Sequence, residues 1–389
     1  MSRSQHVSSV TSYKTGGIIV LLRRLFIIIL VYILTSCLLS AQEKTSLRRP
    51  FQMIWHFKTE NAINLSPTSS RDIVYLPLSG GSVISLTLSD GGLNWITEIG
   101  GNLSATPHAD ETGVFVASEN FISPNNASPT PGALRALSRL SGVTLWMRSI
   151  HAPIQGGLIS NDSVIFGGAA DGRLYAIRKL SGEVLWVRQN RVAFASQPAL
   201  SEGLLFLGDE DGNLWAIDAA TGITVWRYRT RRAVRAQVAI VGENVFAGSN
   251  DGFVYAFNKR DGHLRWRTRT GAAVQSVTPT ERCLVATSLD NFVYCLSLQK
   301  GHKVWKRQLA GRIAAQPLAT DGGVLFAPLA GEECLVLDQK DGRKINSIFV
   351  GEDNNMAASP LLAGNLLLLT TRTGLMAFSS SASSAPLRQ

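Results

Sequence analysis

The densest set of oxygen donors in the sequence is DEDGN, Asp209 to Asn213, and the chemistry such a loop would serve is cation binding. A calcium loop needs donors on alternating positions around a sharp glycine turn. DEDGN departs from that spacing and stands where neighbouring copies of a repeated phrase carry an ordinary hairpin turn, so it is read as a turn. The histidines, His6, His56, His108, His151, His263 and His302, do not cluster. The cysteines, Cys37, Cys283, Cys295 and Cys334, include no CxxC, CxxCH or adjacent pair, which removes the usual support for zinc, haem attachment or thiol redox chemistry. No GxSxG elbow, GxGxxG loop after a strand, P-loop or HExxH occurs. The expectation is a chain that is not an enzyme, with no catalytic residue, metal or cofactor. Cys283 and Cys295 fall on two strands of one hairpin, where a one-residue difference in register separates a disulfide from two buried thiols. Both alternatives stay open.

Charge is the chemistry that the sequence does concentrate. The formal net charge is +10, but Arg3, Lys14, Arg23 and Arg24 lie in residues 1–36, which hold no acidic residue. Between positions 227 and 269, Arg227, Arg229, Arg231, Arg232, Arg235, Lys259, Arg260, Arg265, Arg267 and Arg269 stand against Glu243, Asp251 and Asp261. The runs RYRTRRAVR and RWRTRT place arginine on alternate residues around a tryptophan, and alternation on a strand puts them on the face away from it. Arg227, Arg229, Arg231, Arg232, Arg235, Arg265, Arg267 and Arg269 are therefore the candidate partner-binding residues, facing an acidic protein, lipid head groups or an anionic envelope polymer. The alternative is that they guard exposed strand edges against pairing.

The elements that position these residues are written in a repeat. DGRLYAIRKLSGEVLW (Asp171 to Trp186), DGNLWAIDAATGITVW (Asp211 to Trp226) and DGFVYAFNKRDGHLRW (Asp251 to Trp266) follow one another at a fixed interval. Further copies end at Trp95, Trp146, Trp305 and, degenerately, Asn346, and a truncated one is TGLMAF, Thr373 to Phe378. An apolar run such as LLFLGD precedes each copy, and a Pro-bearing segment such as SQPAL precedes several of those runs. Each unit thus offers four short strands joined by Asp-Gly, Ser-Gly or Thr-Gly turns. A four-stranded unit recurring about every 40 residues marks a β-propeller blade. The fold class is all-β, an eight-bladed propeller over residues 51–378. The orphan strand FQMIWHFKTE, Phe51 to Glu60, supplies the fourth strand of the last blade and closes the ring. Trp55, Trp95, Trp146, Trp186, Trp226, Trp266 and Trp305 pack one blade on the next; Trp215 takes the place of Tyr175 and Tyr255 inside the phrase.

The phrase DGxLYAIDxxTGxxxW resembles the repeat of the PQQ-type β-propellers, which implies the fold and leaves function open. Quinoprotein dehydrogenases of that superfamily resemble one another in an adjacent-cysteine ring and funnel carboxylates, and this sequence has no Cys-Cys pair. Ahead of the ring, Arg23 and Arg24 precede LFIIILVYIL, and LTSC at 34–37 resembles the lipobox of bacterial lipoproteins. That resemblance implies a signal peptide over 1–36, lipidation at Cys37 and a tether over 37–50; at the other end the last copy dissolves into SSSASSAPLRQ, expected as a disordered tail over 379–389. An uncleaved anchor is the alternative, although the Arg pair interrupts the roughly 20 apolar residues that a span needs. Leu38 after the cysteine is compatible with sorting to the outer membrane. Lipobox, tether, eight blades and N-terminal closure are together similar to the lipoproteins of outer-membrane β-barrel assembly. The similarity implies a scaffold on the periplasmic face, lipid-anchored, whose partner is the barrel-forming subunit, with no nucleic acid. The second alternative is a propeller that binds another envelope protein, a polymer or a small molecule, and a quinoprotein dehydrogenase relative is the third.

One loop breaks the period. Trp95 and Trp146 are 51 residues apart where the other intervals are 39 to 41, and the surplus falls in SENFISPNNASPTPG, residues 118–132. In an alternating meander, second-to-third turns and blade-to-blade crossings emerge on one face, so the insertion and the Arg-rich crossings are expected to share it.

Overall fold

The computed structural model describes residues 45–122, 129–329, 331–354 and 356–380. The chain divides into Met1–Lys44 and Thr45–Gln389, and only the second unit contains described residues. The signal peptide, Cys37 and the tail from 381 onward lie outside them. The second unit is all-β, with seven four-stranded sheets and one five-stranded sheet, every strand pair antiparallel. Blades 1 to 7 follow in order over 68–98, 102–150, 154–189, 199–229, 239–269, 274–308 and 318–354. Blade 8 joins Leu361–Ala363, Leu366–Thr371 and Gly374–Ser380 to Phe51–Lys58, whose Trp55 sits opposite Ala377. The two ends of the chain therefore make one sheet, and the strand continues to Ser380. In blade 2 the inner strand is broken into Asn102–Leu103 and His108–Ala109, both paired with Val114–Ile122.

The apolar runs are continuous because both faces of each blade are covered. In blade 4, Leu205 and Leu207 pack toward blade 3, while Phe206 between them packs toward blade 5. Period-two alternation sends successive side chains to opposite faces, and eight apolar clusters result, one between each pair of neighbouring blades. The cluster between blades 8 and 1 closes the circle.

Each letter of the phrase has a contact. The alanine of LWAID, Ala216, pairs with Phe206 on one side and Trp226 on the other, so a small residue lets the two rings meet above it at 5.8 Å. The tryptophan then reaches across. Trp186 Nε1 donates to the carbonyl of Ala219 at 3.1 Å and Trp226 Nε1 to that of Lys259 at 2.8 Å, each acceptor lying in the next blade's third-to-fourth turn. The same bond recurs from Trp55, Trp95, Trp146, Trp266 and Trp305. The glycine of each receiving turn lies under the indole: a Cβ on Gly222, whose φ is +73, would stand 2.8 Å from Cε3 of Trp186.

Blade 7 ends in Asn346 because blade 8 offers no such turn, its third and fourth strands coming from opposite ends of the chain. Residues 45–50, expected as the end of a tether, occupy the gap instead. Asn346 Nδ2 donates to the carbonyls of Leu47 and Arg49 at 3.1 and 2.7 Å. Leu47 is fully buried between blades 7 and 8, Thr45 Oγ1 donates to the Asn365 carbonyl at 2.5 Å, and Arg48 pairs with Asp338 at 2.7 Å. The last part of the expected tether is thus a strap on the ring. Cys283 and Cys295 are bonded to each other, settling their alternative: Cys295 pairs with Val285, two residues from Cys283, so both thiols share one face of the hairpin. Cys334 is a buried free thiol.

Candidate interaction surface

Hydrogen bonds fix which loops share a face. Thr230 N donates to Gly212 O at 2.8 Å and Val234 N to Asp209 O at 3.1 Å, tying the crossing from blade 4 to blade 5 against the second-to-third turn of blade 4. The aspartate of the next turn binds the same crossing, Asp251 accepting from Arg231 N at 3.0 Å and from Tyr255 Oη at 2.7 Å. Asp290 repeats this with Gly271 N at 2.9 Å and the Tyr294 hydroxyl. Burial first, and the Asp290 carboxylate second, push the Tyr294 phenol up to about 12. The insertion belongs to this face as well. Val114–Ile122 and Pro129–Leu137 form an extended hairpin paired as far as Ile122 with Pro129, and Gly132 lies against the Ala152–Pro153 crossing. Residues 123–128 lie outside the described residues.

DEDGN is a turn held from inside. Asp209 is fully buried, and its carboxylate accepts from Asn213 N, Asn213 Nδ2, Trp215 Nε1 and Asn190 Nδ2 at 2.7 to 3.0 Å. Four N–H donors satisfy this anion, leaving its oxygens committed to the turn. Among the described residues no group of three or more His, Cys, Asp or Glu could hold a metal ion.

The eight candidate arginines are exposed, and their contacts differ. Arg227, on the outer strand of blade 4, lies over the Trp215 ring at 5.1 Å, and Arg188 of blade 3 lies over the same ring at 4.8 Å. Burial first, and the neighbouring Arg227 second, pull Arg188 below its ordinary value. Arg267 lies over Phe253 at 5.4 Å, and Lys306, one blade on, over Phe292 at 3.6 Å. The basic residue after each of these tryptophans is therefore stacked flat on its own blade, a contact the sequence reading missed although its spacing is regular. Arg235 pairs with Glu210 at 2.6 Å. Arg229, Arg231, Arg232, Arg265 and Arg269 make no ion pair with a described residue. Of these, Arg231 and Arg232 belong to the crossing on the turn face.

Lys259 and Arg260, grouped with these arginines by sequence, sit on the opposite face. Lys259 is buried and pairs with Glu202 at 2.7 Å, with Arg260 and Glu243 beside it at 3.1 Å. Lys179 holds the equivalent place in blade 3 and pairs with Asp110 of blade 2 at 2.6 Å. Burial raises the Asp110 carboxyl, but Lys179 and Thr112 outweigh it and hold it at about 2. Ser160 contacts both His108 Nε2 at 2.9 Å and Asp110 at 3.3 Å, and burial lowers the imidazole. Here the His nitrogen nearest the carboxylate, at 4.0 Å, is the one bonded to serine. An acylating triad would bind its carboxylate through the other ring nitrogen. The cluster joins two blades.

The family model described as outer membrane protein assembly factor BamB matches residues 131–280 and 268–386. The chain belongs to this family. The BamB family match covers blades 3 to 7 whole and parts of the blades at either side of them. Among solved structures, BamB from Moraxella catarrhalis is similar with a TM-score of 0.72 at 15% identity, covering 86% of this chain and 99% of that one. The computationally designed Ika8 protein has a TM-score of 0.72 at 14% identity, covering 85% of this chain and 100% of that one. The quinohemoprotein alcohol dehydrogenase ADHIIG from Pseudomonas putida HK5 has a TM-score of 0.67 at 11% identity, covering 87% and 78%. Identities this low speak for the fold alone. No curated protein matches the chain in sequence.

Proposed function

We propose that this chain is a non-enzymatic scaffold of the cell envelope, lipidated at Cys37 and held at the periplasmic face of the outer membrane. There it assists the assembly of β-barrel proteins through protein contacts. The BamB family match across residues 131–386 carries this reading. The buried Cys283–Cys295 disulfide agrees with it, because such bonds persist outside the reducing cytosol. The turn face supplies the contact: crossing arginines Arg231 and Arg232 without an ion pair to a described residue, Arg229 at the strand end leading into them, and the extended blade 2 hairpin.

Affinity purification from membranes tests the proposal. The barrel-forming subunit of an assembly complex is expected to co-purify, and charge reversal of Arg229, Arg231, Arg232 and Arg235 to Glu is expected to reduce its yield. Recovery of the intact protein without any assembly subunit refutes the function, and unchanged recovery with the reversed variant refutes the surface. The fold is shared with a quinohemoprotein alcohol dehydrogenase, so a quinoprotein activity is the competing reading. Dye reduction after reconstitution with PQQ and calcium tests it.

A further inference from the structure

The repeat is regular enough for its failures to be informative, and blade 7 fails at one spot in several ways. The third strands of blades 4, 5 and 6 place Trp215, Tyr255 and Tyr294 beside the small residue that pairs with the outer tryptophan. Each of these rings is buried, and each makes a hydrogen bond to an aspartate of its own second-to-third turn. Trp215 and Tyr294 also carry a basic side chain over the ring, Arg227 at 5.1 Å and Lys306 at 5.2 Å. In blade 7 the same position, next to Val336, is Leu335. The turn residue corresponding to Asp209 is Pro328, and the crossing residue corresponding to Thr230 is Leu309. The ring, its polar lock and the crossing hydroxyl are all replaced by smaller or apolar groups at once.

The consequence is an open cavity of about 400 Å³ between blades 6 and 7, lined by Leu309, Ala310, Ile313, Phe326, Pro328 and Leu335. It opens among the crossings and second-to-third turns, the face that carries Arg231 and Arg232. Glu332 and Glu333 stand at its rim, both exposed. Glu333 pairs with Lys344 at 3.0 Å, and Glu332 makes no ion pair with a described residue. An apolar cavity of this size with a few charged groups at the mouth fits a ligand side chain.

We propose that this cavity is a binding site for an aromatic side chain of a partner peptide, with a lysine or arginine next to it in the peptide. Blades 4 and 6 show what the seat accepts, an aromatic ring with a cation against it. Blade 7 leaves this seat without a ring, and Glu332 at its mouth makes no ion pair with a described residue, so the ring and the cation would both come from outside. The inference does not depend on which protein carries the segment.

The probe is acetyl-Trp-Arg-amide, followed by methyl NMR of Ile313, Leu309 and Leu335 in the full folded protein. Saturable shifts confined to these methyls are expected. Acetyl-Trp-Glu-amide is expected to bind about 10-fold more weakly, and the pair Glu332→Gln and Glu333→Gln to weaken acetyl-Trp-Arg-amide by about 3- to 10-fold, the size of one or two exposed charge contacts. Leu335→Trp, which returns a ring to the seat, is expected to abolish binding, and Ala310→Leu, which narrows the mouth, serves if Leu335→Trp does not fold. The absence of methyl shifts, equal affinity for the two dipeptides, or undiminished binding to the folded occluded variant would each overturn the proposal.

Discussion

Two glycines of blade 4, Gly203 and Gly222, separate backbone strain from interblade packing. Their φ angles are +76 and +73, so alanine at either position pays the same left-handed penalty, about 1 kcal/mol, partly offset by the less flexible unfolded chain. Their surroundings differ. A Cβ on Gly203 meets nothing within 4 Å, whereas one on Gly222 stands 2.8 Å from Cε3 and 3.0 Å from Cδ2 of Trp186. The indole must move, which strains a packed interface by roughly 1–3 kcal/mol. It also loosens the 3.1 Å bond from Trp186 to Ala219, worth about 1 kcal/mol. Gly222→Ala is therefore expected to destabilise the ring by about 2–4 kcal/mol more than Gly203→Ala, taking the strain and the bond together. Urea unfolding followed by tryptophan emission measures both variants under one condition. Equal losses, within about 0.5 kcal/mol, would refute the claim that this glycine is required by the tryptophan of the neighbouring blade.

The strap makes a second prediction. Leu47→Ala removes a fully buried side chain from the interface between blades 7 and 8 and is expected to cost about 2–4 kcal/mol. Limited proteolysis should then cut first near the chain ends that form blade 8, and an unchanged cleavage pattern would count against the strap. The Asp110 clasp sets a pH dependence. Its folded value of about 2 lies below the ordinary 3.8, so its stabilisation is complete above roughly pH 4 and is lost as pH falls through 2. Asp110→Asn should flatten the fall in stability across that window and leave no added slope near neutrality. Parallel curves for the two proteins between pH 4 and 2 would remove the clasp as the cause.

The propeller was legible because it is written in local terms. Turn glycines, continuous apolar runs and a tryptophan at fixed spacing each act within one blade or on its neighbour, so repetition alone implies the ring. Closure was legible too, since Phe51–Lys58 lacks partners unless it completes the last sheet. The candidate surface was less so. Sequence grouped Lys259 and Arg260 with the arginines near them in the chain, but their turn lies on the far face, where Glu202 and Glu243 receive them. Proximity along a meander alternates between faces, and only the register of the strands reveals which residues end together.

Sequence by itself determined the repeat unit, the blade count, the residue that joins blade to blade and the segment that closes the ring. Tertiary structure alone decided what fills the places where the repeat fails. Asn346 finds its acceptors in a strap nearly 300 positions earlier in the chain, at Leu47 and Arg49. Leu335 leaves a cavity that is visible only against the rings of other blades. A substitution in a repeat is read locally as decay, but its partners come from across an interface between blades. The sequence does not record which distant backbone or open space will stand there.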